Sequence, residues 1–379
     1  MNPLEKRLTN IIAPVFKEAT PGLVFEVHHK GKLKAHVELG KTSAYYDWAS
    51  LTKIVFSASA WMFALDEKKF KLDDSVSKFL PWFYSGAPKK FWRIQDLMTH
   101  SAGLEWWKPY YSMIKAPGKN PELNWKALKE ILRTEMENQS SGRVHEVKTK
   151  EGTLLKLDPK KQPKSVYSDL DLLILGAALE EVHQKPFHEI ASEVLDRLGL
   201  IESGFHFANQ PAGPRELYAP TEAKAFYGET RAGEVNDENT WALGGVAPHA
   251  GLFGPIDDLS DYGLLLRGSY FDDLSKTDSK RFASPKTTRK FLKRSVPVEI
   301  GDWGLLFMMP NKEGASCGPE FSSSSVGHLG FTGTSLWFDP KKDLLVTVLS
   351  NRVHPTRDNI NIRLLRPLLH TAVVEELGL

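Results

Sequence analysis

The spacing of apolar residues changes several times along this chain, and each change marks an element. The runs Gly22–His29 (GLVFEVHH) and 33–39 (LKAHVEL) are β-rich, and Lys30-Gly31-Lys32 between them predicts a hairpin. After Trp48-Ala49 the period lengthens. Ile54, Val55, Ala58, Trp61, Met62 and Leu65 recur at helical spacing, which predicts a helix from Ser50 to about Asp66. Strand-like runs return at 303–309, 334–338 and 344–350, and an amphipathic helix over 363–377 closes the chain. Between these ends lie about two hundred residues of helical pattern and turn clusters, including 94–98, 128–137, 170–183 and 257–267. The reading is a sheet domain built from both chain ends, residues 1–75 with 290–379, and a mainly helical lobe over 76–289. Within that lobe, the polar stretch 138–163, with Lys148, Lys150, Lys156, Lys160, Lys161 and Lys164 in or beside it, has little core potential. It predicts a surface excursion, and a solvated loop there is favoured over a hairpin covering the site.

With 379 residues, 41% of them hydrophobic and 25% charged, the chain is a globular protein large enough for two lobes. Forty-nine basic against 47 acidic residues leave +2, too little to imply nucleic acid or an anionic membrane as partner. The amino terminus has charges on both sides of its apolar stretch and Pro14 within it, which predicts a short amphipathic helix rather than a secretory signal. No segment reaches the ~18 apolar residues of a membrane span. The expected location is therefore cytoplasmic, or periplasmic if a leader has been trimmed. Oligomeric state leaves no mark in the sequence. The single cysteine, Cys317, lies among small and polar residues and reads as incidental.

Candidate chemistry begins at Ser50-Leu51-Thr52-Lys53. Serine and lysine three residues apart share a helical face. A hydroxyl needs a base within reach, and a lysine desolvated by neighbours such as Trp48, Ile54 and Phe56 can supply one. A helix start also offers free amides, among them that of Ser50, to an oxyanion. Alone, the tetrapeptide more often marks an N-cap with a solvent-facing charge. Two later segments change its weight: Tyr167-Ser168-Asp169 ahead of an apolar helix, and His328-Leu329-Gly330-Phe331-Thr332-Gly333 ahead of a strand.

In order and spacing these three segments resemble Ser-x-x-Lys, Tyr-x-Asn and Lys-Thr-Gly of the penicillin-recognising serine hydrolases. The likeness is greatest to the serine β-lactamase-like branch of class C β-lactamases, DD-peptidases and esterases. Residues 94–104 (IQDLMTHSAGL), 244–253 (GGVAPHAGLF) and 349–355 (LSNRVHP) are similar to further phrases of that branch. The resemblance implies an α/β fold of the α+β type, an antiparallel sheet flanked by helices with an inserted helical lobe, and no cofactor. It implies that Ser50 is the acyl-accepting nucleophile, with Lys53 its proton partner and Tyr167 the shuttle to the leaving group, and leaves either of the last two as primary base. The amides of Ser50 and Phe331 would form the oxyanion hole, and Asp169, His328 and Gly330 would meet substrate. Small esters, amides or D-amino-acid peptides are the implied substrates.

Departures from the family pattern narrow this. Asp169 stands where asparagine is favoured and adds a negative charge that would raise the Lys53 pKa. His328 and Leu329 replace lysine and threonine, removing a fixed cation and a hydroxyl, and Gln162-Pro163-Lys164 replaces the usual Pro-Gly. Carboxylate-bearing β-lactams then fit less well, and ester or peptidase-like amide hydrolysis is favoured over β-lactamase or D-alanyl-D-alanine carboxypeptidase activity. A non-catalytic or sensor homologue is the other class, against which an intact Ser50, Lys53 and Tyr167 stand. The Gly314-Ala315-Ser316-Cys317-Gly318 string imitates a nucleophile elbow without its strand and helix. No spacing of histidines, cysteines or acids suggests a metal. His100, His249 and His354 read as loop ties, and Gly244-Gly245 fits packing as well as a cleft. Trp106, Trp107, Tyr110 and Tyr111 form an aromatic cluster, suited equally to an apolar acyl group and to packing between lobes.

Overall fold

The computed structural model describes residues 1–84, 92–139, 146–148, 152, 154–156 and 163–379. Helix α1 (Pro3–Ala19) opens the chain. Asn2 and Glu5 cap it reciprocally, each side chain taking the other's backbone amide, and Pro3 occupies the first turn, where its missing N–H costs nothing. Strands β1 (Gly22–His29) and β2 (Lys32–Gly40) follow as the expected hairpin. Lys30 and Gly31 turn it at φ of 53° and 70°.

The other chain end supplies β3 (Val326–Leu329), β4 (Ser335–Asp339) and β5 (Leu344–Ser350). All five strands form one sheet in the order β3-β4-β5-β1-β2, and each adjacent pair is antiparallel. Both chain ends meet where β1 lies beside β5, from Leu23 opposite Ser350 to His29 opposite Leu344. Alternation then divides the faces. Leu23, Phe25, Val27, Val346 and Val348 pack with α1 and the closing helix α5 (Ile362–Leu377). Val24, Leu345 and Leu349 join the inner core with α4 (Ile256–Phe271). Each such burial stabilises by about 1.5–3 kcal/mol. Thr347, polar on this inner face, is satisfied by the Ser260 hydroxyl at 2.7 Å.

The same inner core continues without a break into α2 (Ser59–Asp66) and α3 (Asp169–His183), taking in Trp61 and Met62 from the first and Leu172 to Leu175 from the second. Both helices stand behind the site. The helical readings at 94–98, 170–183 and 257–267 match elements to within a few residues, and 128–137 lies inside a longer helix, Pro121–Gln139. No described helix is long and apolar enough to cross a membrane.

Three sequence expectations need correction. Residues 303–309 are not a strand: Trp303 and Met308 make only isolated bridges, because the backbone turns through Leu306 at φ 67°. The element from Ser50 to Asp66 is not one α-helix but a succession of tighter and wider turns that ends in α2. Within 138–163, Glu146–Lys148 pairs with Leu154–Lys156 as a small antiparallel hairpin, where the composition favours a solvated loop. Lys150, Lys160 and Lys161 lie outside the described residues.

Candidate active site

Ser50 sits in a tight 3₁₀ turn, Ala49–Leu51, followed by a widened π-helical turn, Lys53–Ala58, before α2 begins. Ala49 has φ 48°, a left-handed conformation that costs an L-residue about 1–2 kcal/mol. Neighbouring bonds hold it there. Asp47 accepts the Ala49 amide and the Asn236 amide, each at 2.8 Å, and the Trp48 amide donates to Leu252 at 2.9 Å. Burial pushes the Asp47 carboxyl up to about 7. Tyr262 donates to the Ile54 carbonyl at 2.6 Å and so occupies an acceptor inside the π turn. Helical periodicity could not reveal this geometry, because the 3₁₀ and π segments are 3 and 6 residues long, too short for their own period to show.

The turn places the Lys53 ammonium 2.8 Å from Ser50 Oγ. Lys53 is fully buried; it donates to Ser50 Oγ and to the His249 carbonyl at 3.0 Å, and it is ion-paired with Asp169 at 2.7 Å. Tyr167 donates to the same Ser50 Oγ at 2.8 Å. Burial works to strip the Lys53 proton, but Asp169 and Tyr167 outweigh it and hold the pKa above that of a free lysine. The reading of Asp169 as a group that raises it therefore holds, and the reading of Lys53 as a base freed by desolvation does not. Burial pushes the Tyr167 phenol up, partly offset by Lys53.

Each partner is positioned from its own element. Ser168 caps α3, accepting the Leu170 amide at 3.1 Å and donating to the Glu105 carbonyl at 2.5 Å, while the Asp169 amide donates to the Trp106 carbonyl at 2.9 Å. These bonds aim Asp169 at Lys53. The Tyr167 ring lies parallel to Trp303, 3° between planes, and against the edge of His100 at 5.1 Å between centroids. His100 Nδ1 meets Asp171 at 2.8 Å; burial drives the imidazole well down and the carboxyl well up, opposing charge on both.

The third segment is lashed to the nucleophile's approach. Thr332 donates to the Asp47 carbonyl at 2.7 Å and Thr334 to the Trp48 carbonyl at 3.1 Å. From beneath, Arg366 of α5 donates to Gly330 and Thr334 carbonyls at 2.9 and 2.7 Å, and Arg352 holds the Phe331 carbonyl at 2.7 Å. The Phe331 main chain is thereby held near the turn that carries Ser50. Gly330 permits the approach, since a Cβ there would stand 2.7 Å from the Trp48 carbonyl. His328 lies on β3 with only 1% exposure, its Nδ1 accepting the Leu329 amide at 3.0 Å.

Of the residues singled out, Ser50, Lys53, Tyr167 and Asp169 form one hydrogen-bonded and ion-paired cluster, with Gly330 and Phe331 tethered beside it and the His328 ring 5.7 Å from that of Tyr167. Ser316 lies in a turn that neither follows a strand nor opens a helix, and Cys317 is buried, its thiol pushed up to about 12. His354 ties the Thr221 carbonyl, and Gly244 and Gly245, both at φ 86°, are packed against Pro121 and His206. Sequence reasoning missed Trp303, Arg366 and Asp237. The apolar pattern places Trp303 in a strand, and an arginine in an amphipathic helix reads as surface. Asp237, His249 and Asp169 bring ligand-capable atoms within 4.8 Å of one another, where no motif announced it. His249 Nε2 is 3.0 Å from Asp237, and the Lys53 ammonium meets Asp169, so Lys53 already supplies the cation this cluster attracts.

A family model described as Beta-lactamase matches residues 8–369. A protein of Salmonella agona (strain SL483), provisionally named D-alanyl-D-alanine carboxypeptidase, is 29% identical over 344 residues, covering 85% of this chain and 72% of the relative. Among solved structures, EstCE1, described as a hydrolase with promiscuous acyltransferase activity, superposes with TM-score 0.67 at 19% identity, covering 97% of this chain and 98% of its own. A class C β-lactamase gives 0.65 at 16% identity, with 97% and 98% covered. An octameric penicillin-binding protein homologue from Pyrococcus abyssi gives 0.68 at 18%, covering 100% of this chain and 78% of its own.

Proposed function

This chain belongs to the β-lactamase family, and from that premise we propose that it hydrolyses small carboxylic esters or amides through an acyl-enzyme on Ser50. That it is a serine hydrolase of the β-lactamase fold follows from the family match and the structural neighbours. One observation carries the assignment of the site: Lys53 and Tyr167 converge on a single Ser50 oxygen, each at 2.8 Å. Ser50 Oγ attacks the substrate carbonyl carbon, and its proton passes to the Lys53–Tyr167 pair. The carbonyl becomes an oxyanion facing the amides of Ser50 and Phe331. Its collapse breaks the bond to the leaving alcohol or amine, which takes the proton back from the pair. Water then attacks the acyl-enzyme by the same route and restores Ser50.

The pair titrates as one unit, and its deprotonated form does the work. Esters are favoured over β-lactams because the third segment presents a buried histidine where a lysine would meet a substrate carboxylate. The name of the Salmonella relative favours D-alanyl-D-alanine peptide hydrolysis as the second reading. A fluorophosphonate probe with peptide mapping, run beside turnover of a nitrophenyl acetate, a chromogenic cephalosporin and a D-alanyl-D-alanine peptide, tests both. Label on Ser50, loss of turnover in Ser50→Ala and ester turnover above cephalosporin turnover are expected. Label on Ser316, or equal rates for wild type and Ser50→Ala, would overturn the site. Faster cephalosporin or peptide turnover would overturn the substrate reading alone.

A further inference from the structure

Beyond the catalytic cluster, six aromatic side chains from three separate segments touch in series. Trp106, Trp107 and Tyr111 come from the loop after Gly103, Phe226 and Tyr227 from the tip of a hairpin pairing Lys224–Ala225 with Gly228–Glu229, and Trp241 from the short helix Glu238–Ala242. Successive ring centroids are 5.7 Å apart for Trp106 and Trp107, 6.1 Å to Tyr111, 4.3 Å to Phe226 and 5.5 Å to Trp241, with Tyr227 stacked on Trp241 at 3.8 Å. None of these rings is fully buried, and Phe226 is 41% exposed. A hairpin tip ordinarily selects glycine, asparagine or aspartate. Here Gly228, at φ 113°, provides the turn's conformational freedom, and the other tip positions carry two rings. A contiguous aromatic strip assembled from three segments, with Phe226 exposed and the other five rings partly buried, is a binding feature, unlike apolar residues scattered singly over a surface.

The strip is fixed to the catalytic cluster at its near end. The carbonyl of Trp106, the first ring residue of the strip, accepts the Asp169 amide, and Asp169 pairs with Lys53. From the other side, Asn239 donates to the Lys108 carbonyl and accepts the Tyr111 amide, both at 2.8 Å. Asn239 lies between Asp237 and Thr240, which engage His249, whose carbonyl receives the Lys53 ammonium. Six rings in successive contact present more apolar surface than one aromatic substituent would cover. We propose that this strip is the subsite for an extended apolar chain carried by the substrate, so that the preferred substrates are long-chain rather than acetyl-sized esters. The proposal rests on the serine hydrolase reading above and adds the substrate class.

The test is kcat/KM across two ester series: nitrophenyl esters from acetyl to octanoyl, and acetates of alcohols of increasing length. Wild type is compared with Trp107→Ala, Phe226→Ala, Ser50→Ala and, as a control on α4 among other elements, Phe271→Ala. For wild type, kcat/KM is expected to rise by up to about fourfold per methylene in one of the series, which identifies the side of the scissile bond that the strip serves. Both strip variants should lower the long-to-short ratio by about tenfold, while Phe271→Ala leaves it at the wild-type value. Two strip variants are used so that one misfolded protein does not decide the matter. A flat chain-length profile in both series, or long and short esters impaired equally by both strip variants, overturns the subsite with Ser50 chemistry intact. Turnover that persists in Ser50→Ala overturns the reading beneath it instead.

Discussion

Asp169 changes what Lys53 can do. A buried lysine without a counter-charge would tend to lose its proton, but an ion pair at 2.7 Å reverses that tendency. With the Lys53 pKa raised, the deprotonated pair that accepts the Ser50 proton becomes populated only as pH climbs. The rate, kcat/KM against pH, is therefore expected to be still rising at about pH 10, close to the ~10.4 at which an unperturbed lysine titrates. In Asp169→Asn the carboxylate that holds the proton is gone and burial is unopposed by it, so the rising limb should move to lower pH. A limb that stays in place would show that another group controls the titration. Ser50 and Tyr167 were visible as residue types in order along the chain. The sign of the Lys53 shift was also foreseeable from Asp169, though its outcome against desolvation was not, because burial of Lys53 depends on helices far away in sequence.

The element that carries Ser50 is a composite of 3₁₀, π and α turns, and its first residue is strained. This composite is held in place by a second one, the turn from Gly330 to Thr334, whose threonine hydroxyls reach the Asp47 and Trp48 carbonyls. The two must lie close, and Gly330 is where the closeness is most demanding. A Gly330→Ala side chain would press on the Trp48 carbonyl at 2.7 Å and on the Thr334 side chain, forcing the turn outward. The expected result is a fall in kcat of about tenfold or more, as the Phe331 amide moves off the oxyanion position, with the thermal transition shifted by a smaller amount. Wild-type kcat in this variant would show that the turn tolerates displacement. The glycine was legible in the sequence as part of a family-like segment, but its reason was not, since the atoms it must avoid belong to residue 48.

Across the whole molecule, buried titratable groups are spread through the layers behind the site and tie its stability to pH. Asp47 has a folded pKa of about 7, above the ~3.9 of an unfolded aspartate. A raised carboxyl pKa means the folded state binds the proton more tightly. Its contribution is therefore full below the unfolded value and is lost as pH rises through the folded one. Asp171 acts in the same direction. Asp237, held low by His249 against the effect of burial, acts in the opposite sense at acid pH. Thermal melts are expected to show stability declining between about pH 4 and pH 7 from the Asp47 contribution. Asp47→Asn, which cannot ionise, should flatten that decline. An unchanged slope would show that Asp47 does not link pH to stability.

The sequence alone determined the strand-forming runs at both chain ends, the hairpin around Lys30-Gly31, the long helices and the order of the three reactive segments. These are local in origin: alternation, helical period and turn residues act over a few positions, and segment order is a property of the chain itself. Only the tertiary structure decided the rest. Ser50 and Tyr167 are 117 residues apart and meet at 2.8 Å because a core that includes Trp61 and Ile174 packs their helices together. Trp303 leaves the expected strand to lie on Tyr167, and Arg366, on a helix packed beneath the sheet, supports a turn thirty-six residues earlier. The aromatic strip joins residues 106 and 241 through a hairpin between them. Such contacts depend on burial and on backbone angles such as the positive φ of Ala49, which only the assembled core imposes on a residue type that does not favour it.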